Sequence, residues 1–509
     1  MKNKIILIDV QEENGKYLEI PLGLLSIGTI LKKNKYNIKI VKIFKNSPEK
    51  IKKYLNKDIL CVGFGMRTDQ VDSALTISKY IKNNFGEKIK IIWGGIHTNL
   101  YPKQVLENNN IDIIVLGDGE YTLVDIANAL INKKSLKDIK GCGYKYKGKI
   151  ILNAKREFTD LSKLPKTDYS IIEEIENYIE GSKTADAIMK GVAFFPIHSG
   201  VGCPFNCSFC YNSRQRERIS KRSVKIMLDD IEYLQKKHNI NFFRMRDELF
   251  FYDKKRSQEF LNEKKRRSLK FFWDSSFHIN ILKNENFYSN EFLKELKKEG
   301  FAYSGVGVES GSPNQIKRYR KNITPEDVLK VVKRTSKLKI LLTYSFMIGA
   351  PYENYEDMLQ TIRLIYKIKA ISPEYTYITG PLSLFRPYPG ADLYNEAIKL
   401  GYKEKKKLED WKSLSKFTGY NTYNDMPYLS VNLIKIFNLF YYLKFLRGIF
   451  QIENSLLRKF LRKNETYLFI THTKVISFIG ATFRIIVENK LIDKYIIRKI
   501  LGRSLILEK

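Results

Sequence analysis

Cysteine is scarce in this chain, with five residues in 509. So few thiols in so long a polypeptide exclude a disulfide framework, and thiols that cluster in such a chain point to a metal site. Long apolar runs are also missing. None reaches the roughly 18 to 20 uninterrupted residues that a membrane-spanning helix needs. Acidic residues are outnumbered 55 to 89 by Lys and Arg, leaving a formal charge of +34. The lysines are scattered over predicted helix faces instead of forming one stripe, so they read as solvated surface, and nucleic acid is not the expected partner. A G-x-G-x-x-G fingerprint after the first strand is absent, which argues against a dinucleotide ligand. There is no internal repeat.

The patterning that is present describes an α/β protein. The start, "MKNKIILIDV", looks superficially like a leader peptide, but its apolar run is short and carries Asp9, so it reads as a first buried strand and the protein is expected to be cytoplasmic. Residues 1–135 alternate the strand candidates "KIILIDV", "NIKIVKIF", "DILCVGFGM", "KIIWGG" and "DIIVLGDGE" with helical segments. That alternation predicts a doubly wound parallel sheet with its ligand at the carboxyl ends of the strands. Glycine follows three of those strands, at Gly63 and Gly65, Gly94 and Gly95, and Gly117 and Gly119. Either a large ligand approaches the backbone there or the glycines make tight strand-to-helix turns.

Residues 136–190 read as a linker containing a hairpin that turns at Lys147-Gly148. Residues 191–400 hold a second βα series ("VAFFPIHSG", "INFFRMRD", "KFFWDSS", "AYSGVGVES", "LLTYSFMIG", "EYTYITGPLSLF"), which predicts a closed or partly closed parallel barrel. Thr324 with Pro325 marks one helix start. Residues 401–509 are aromatic, basic and helix-like, a third and mainly helical unit.

Three of the five cysteines fall in "CPFNCSFCYN", as Cys203, Cys207 and Cys210. Three soft thiolates suit zinc, copper(I) or an iron-sulfur cluster. A closed zinc site needs a fourth ligand, for which His198 is the nearby candidate, and zinc knuckles usually come in pairs. In a 4Fe-4S cluster, three cysteines leave one iron open to an exogenous ligand.

This C-x3-C-x2-C loop after a predicted strand resembles that of the radical S-adenosylmethionine (SAM) enzymes. The resemblance implies a partial (β/α)6 TIM-type barrel whose open iron binds SAM and whose cluster, reduced by a flavodoxin- or ferredoxin-type donor, generates a 5'-deoxyadenosyl radical. It also implies roles for individual residues. Phe209 matches the position beside the adenine. Asp247 and Glu248 in "RDELFF" match the acidic segment that contacts SAM or substrate, and Glu309 and Ser310 in "GVGVESGS" match the residues that meet the SAM ribose and carboxylate. "FMIGAPYEN" is similar to the G-x-P-G-E-T segment, keeping Gly349 and Glu353 while Tyr352 and Asn354 replace Gly and Thr. His278 stands where relatives often carry arginine.

The first domain resembles the Rossmann-like cobalamin-binding domain of the subgroup that carries both cofactors, on "PLGLLSIGTIL", "GFGMRTDQ", "WGGIHTNLYP", "VLGDGEYTL" and "LPKTDY". Met66, Thr68, Gly94, Gly95, His97, Gly117, Gly119 and Glu120 are the cofactor-site candidates this implies. His97 is expected either near the corrin or in ordinary hydrogen bonds. The D-x-H-x-x-G motif that supplies a lower ligand in other cobalamin proteins is absent, so no such histidine is expected on the cobalt. The activity implied is C-methylation of an unactivated carbon. The alternatives are a cyclase or oxidative reaction with the same cofactors on a tetrapyrrole- or lipid-type substrate, or RNA modification. The substrate is expected to be a small molecule or a lipid. The helices from about residue 433 are expected to be core or a surface that touches membranes peripherally.

Overall fold

The computed structural model describes residues 3–11, 19–183, 188–189, 191–214, 218–379, 383–412 and 426–429. The apolar C-terminal segments from about residue 433, and any membrane contact through them, lie outside the described residues. Among the described helices none is long and apolar enough to cross a membrane.

The first sheet contains β1 (Lys4–Gln11), β2 (Asn37–Phe44), β3 (Ile59–Gly65), β4 (Lys90–Gly94), β5 (Ile113–Val115), β6 (Cys142–Tyr146) and β7 (Lys149–Leu152), in the order β2-β1-β3-β4-β5-β6-β7. The first five pair in parallel, and β6 and β7 add an antiparallel hairpin to the β5 edge. Both turn residues of that hairpin, Lys147 and Gly148, have positive φ (47° and 73°), as a two-residue turn with the twist of the flanking strands requires. The strands read as continuous apolar runs because both sheet faces are covered. Ile5, Leu7 and Ile40 pack with Leu25 and Leu31 of the helix Leu22–Lys33, while Ile6, Ile8 and Val62 pack on the other face with Ile77 and Ile81 of the helix Val71–Phe85. The strand order reverses between β1 and β3, so the natural crevice lies at the carboxyl ends of these strands.

The second sheet is wholly parallel, in the order β15-β14-β13-β12-β11-β8. Its strands are β8 (Phe195–Ile197), β11 (Phe242–Met245), β12 (Phe272–Phe277), β13 (Phe301–Glu309), β14 (Leu341–Ile348) and β15 (Thr376–Ile378). A short β16 (Ser383–Leu384) pairs with β14 beyond β15, so the sixth stave is broken in two. A two-stranded ribbon, β9 (Gly200–Val201) with β10 (Ser220–Lys221), flanks the loop between them. No ladder joins β8 to β15 among the described residues, so the barrel is open, a partial six-staved one. The helix Pro325–Lys337 starts at Thr324, whose Oγ1 accepts from the Asp327 N–H at 3.2 Å while Asp327 accepts from the Thr324 N–H at 3.0 Å.

The two sheets meet at the carboxyl ends of their strands. Glu19, beyond β1, accepts from Arg246 at the end of β11 (3.3 Å) and pairs with Arg67 at the end of β3 (3.6 Å). Asp118, beyond β5, pairs with Arg218 from the loop before β10. The Tyr101 hydroxyl donates to that of Tyr394 at 3.3 Å.

Candidate functional site

The barrel side of this meeting is organised by the cysteine loop. Gly202 opens it with φ of 90°, and a Cβ there would stand 2.0 Å from the Arg218 carbonyl oxygen, so only glycine fits. Its N–H donates to Glu248 at 2.7 Å. Ser208 pins the loop to the barrel: its N–H donates to the Tyr319 carbonyl (3.1 Å), its hydroxyl to the Arg318 carbonyl (2.7 Å), and its own carbonyl accepts from Leu393 (3.0 Å). Cys203, Cys207 and Cys210 are all free thiols. Burial pushes Cys203 up to about 11, and the charges of Cys207, Cys210 and Glu248 push in the same direction. Cys207 is likewise raised by burial, opposed by the Lys321 ammonium.

The three thiols therefore share one neighbourhood whose thiolates need positive charge. Among the described residues no three His, Cys, Asp or Glu side chains are gathered to hold a single metal ion. Three thiolates offered from one short loop are the donor set that an iron-sulfur cluster takes. His198 makes a poor fourth ligand. It is half-buried, and its basicity is lowered to about 4 by burial of its ring and by the Arg222 and Arg218 guanidiniums, which would also repel a cation.

The matched side chains divide between open and enclosed positions. Glu248 is exposed at the loop and also accepts from Asn212 at 3.1 Å. Phe209 meets the Tyr319 ring edge-on at 5.5 Å. Glu309 ends β13 with φ of 72°, a left-handed conformation that a carboxylate residue adopts at a cost, and pairs with Lys321 at 3.3 Å. Asp247 instead turns inward to Arg256 (3.3 Å), its carboxyl raised by burial. Ser310 is fully buried against Thr361 (3.0 Å) and accepts from the Ser312 N–H. Glu353 folds back to accept from the Gly349 and Ala350 N–H groups, and burial raises it to about 8. Gly349 needs its φ of 81° for that turn.

One residue at this site carried no signal of its own in the sequence. Lys321 is buried, donates to the Gly307 carbonyl at 2.7 Å and lies 5.9 Å from the Phe209 ring centre. It brings a cation to the region where His278 replaces arginine. His278 stacks on Phe205, inside the cysteine loop, with ring centres 3.8 Å apart, and its Nδ1 accepts from the Asn280 N–H. Burial and the nearby Lys321 and Lys283 lower it to about 3, so it is neutral.

The facing edge, on the first sheet, is made of backbone. Gly65 and Gly117 are exposed, Gly94 and Gly95 half-buried, and Ile96 and Tyr121 present apolar surface. A Cβ on Gly117 would meet nothing within 4 Å, whereas one on Gly95 would lie 2.5 Å from the Met66 N and O. Such an edge admits a broad, flat ligand against main chain. The remaining candidates lie behind it. Met66 is core. Glu120 is buried, raised by that burial, and accepts from Ser26 at 2.7 Å. Gly119 lets its helix approach Ile27. Thr68 Oγ1 lies 3.4 Å from Nδ1 of His97. His97 is fully buried beneath Trp411, ring centres 5.1 Å apart, and burial lowers it to about 4. The Trp411 indole N–H donates to Gln104 at 2.7 Å, a long-range contact that local patterning could not reveal.

Comparison with known proteins agrees with this division. Residues 13–127 match the B12 binding domain, and residues 197–365 match the radical SAM superfamily. An uncharacterized methyltransferase of Pyrococcus horikoshii is 29% identical over 74% of this chain and 78% of its own. The anaerobic magnesium-protoporphyrin IX monomethyl ester cyclase of Rubrivivax gelatinosus is 25% identical over 67% of this chain and 59% of its own length. In fold, the chain is similar to the cobalamin-dependent SAM radical enzyme OxsB solved with aqua-cobalamin and SAM (TM-score 0.71, 16% identity, 98% of this chain and 75% of that one). It is also similar to the radical SAM methyltransferase TsrM from Kitasatospora setae solved with tryptophan and a SAM analogue (TM-score 0.60, 17% identity, 79% and 77%). One polypeptide thus matches the B12 binding domain over its first sheet and the radical SAM superfamily over most of its second, each finished at the strand ends where the two sheets meet, and it is similar over most of its length to cobalamin-dependent radical SAM enzymes.

Proposed function

We propose that this enzyme transfers a methyl group to an unactivated carbon of a small-molecule or lipid substrate held between its two domains. The observation that carries this reading is the meeting of the two strand-end edges through Glu19 with Arg67 and Arg246, and through Asp118 with Arg218. Cys203, Cys207 and Cys210 would hold a 4Fe-4S cluster, and the Gly65, Gly94, Gly95 and Gly117 edge would seat cobalamin. When bound, these groups and SAM supply an adenosyl radical and a transferable methyl group.

The residues of this chain supply position. Glu248 and Ser208 hold the cysteine loop, Lys321 offsets the negative charge of Cys207 and Glu309, and Phe209 presents an aromatic face beside the loop. The test is anaerobic reconstitution with iron, sulfide, cobalamin and methyl-labelled SAM, followed by mass spectrometry of candidate substrates. Labelled methyl in product is the expected result. Product formed without label would replace this reading with ring closure or oxidation, which the similarity to a cyclase favours as the second reading.

A further inference from the structure

The turn that supports the cysteine loop has an outer face. Along residues 317–321 the side chains segregate: Tyr319 and Lys321 are buried toward the loop, while Lys317, Arg318 and Arg320 are exposed. Arg320 pairs with Asp392 at 2.6 Å, but Lys317 and Arg318 have no carboxylate at ion-pair distance among the described residues. Together with Tyr352 and Asp357, whose carboxylate is turned inward to Ser312 and Asn354, these three cations line an open concavity of about 510 Å³. Tyr352 is nearly half exposed, its ring 4.8 Å from the Arg318 guanidinium carbon, and its φ of 62° is one that a bulky residue adopts only at a cost. Its surroundings hold that conformation, the ring lying against Arg318 and the hydroxyl donating to Glu396 at 3.2 Å. The concavity is joined to the thiol loop by two hydrogen bonds, because the carbonyls of Arg318 and Tyr319 accept from the hydroxyl and the N–H of Ser208, the residue next to Cys207.

We propose that this face docks a small acidic electron-carrier protein, which passes one electron through the turn to the cluster. The inference rests on the reading that the three cysteines hold a 4Fe-4S cluster. In the step the carrier is oxidised by one electron and the cluster reduced by one; no bond forms or breaks and no proton moves. Cations clustered at one point, here two of the three without a carboxylate partner, steer an acidic partner to that point and make association depend on salt. The general excess of Lys and Arg cannot select a location, whereas this patch lies over the loop that must receive the electron.

The test uses the anaerobically reconstituted full-length enzyme, with cluster bleaching followed by stopped-flow absorbance. The double variant Lys317→Glu with Arg318→Glu is compared with wild type and with a control of equal charge change on the first domain, Lys33→Glu with Lys79→Glu. With photoreduced flavodoxin as donor, the wild-type rate should fall with added salt, and the Lys317/Arg318 variant should be slower by about tenfold or more at low salt. Its rate with dithionite and its iron content should match wild type. Equal slowing in the control pair, no slowing in the variant, or a matching loss with dithionite each overturns the docking site. A wild-type protein with no iron-sulfur absorbance overturns the underlying cluster reading instead.

Discussion

The two edges that face each other are finished in opposite ways. Between the ion pairs of Glu19, Arg67 and Asp118, the first sheet ends in glycines, main-chain groups and an exposed isoleucine, with Glu120 and His97 withdrawn into the interior. The barrel ends in charge, with Glu248, Glu309 and Lys321 around three thiols. A backbone edge suits a broad ligand recognised by shape, and a charged edge suits small polar groups and a metal cluster recognised by electrostatics. One chain thus uses the carboxyl ends of two parallel sheets, the same topological resource, for two kinds of chemistry.

The contrast can be broken most completely at the thiols. Cys207→Ala should abolish the iron-sulfur absorbance and the low-temperature electron paramagnetic resonance signal of the reduced protein, while bound cobalamin keeps its visible bands. Loss of both spectra together would show that the two edges are not independent.

On the glycine edge the largest effect is expected at Gly95. Its φ is 92° and an added Cβ would meet the Met66 backbone at 2.5 Å, so Gly95→Ala should cost about 2–4 kcal/mol in chemical denaturation and loosen the whole edge.

Each region also holds a buried carboxyl whose protonation favours the folded state. Glu353 is raised from 4.5 to about 8 and Asp9 from 3.8 to about 6, both chiefly by burial. A raised folded value means that stability is fully present below the unfolded value and is lost as pH rises through the folded one. Glu353→Gln should therefore flatten the decline in stability up to about pH 8, and Asp9→Asn only up to about pH 6, in denaturation series run across pH. Identical profiles for the two variants would contradict the assignment.

The smallest effect is expected at Gly117, where φ is 76° but the space is open. Gly117→Ala should cost about 1 kcal/mol of stability, with a larger proportional loss of cobalamin affinity in an absorbance titration.

The elements of both sheets were legible because parallel strands buried on two faces are apolar runs of strand length, and the cysteine loop was legible because its spacing is itself the signal. The helix at Pro325 was legible through its cap. What stayed hidden depended on distance in sequence. Lys321 is one cation in a chain with 89 Lys and Arg, and only the turn that buries it makes it distinct. Motif spacing placed Asp247 and Ser310 at the site, but it does not encode side-chain direction; the structure aims one at Arg256 and the other at Thr361. His97 was legible as a loop histidine. Its cover, Trp411, lies more than 300 residues away.

That distance has a consequence for how the protein is made. Leu408 and Trp411 belong to the same core as Ile6, Val62 and Trp93 of the first sheet. A ribosome therefore releases the first domain with one face of its core still incomplete, and must then synthesise the whole barrel before the residues that close it emerge. The first domain would wait, partly open, for its own last pieces, with the apolar surface they cover exposed meanwhile.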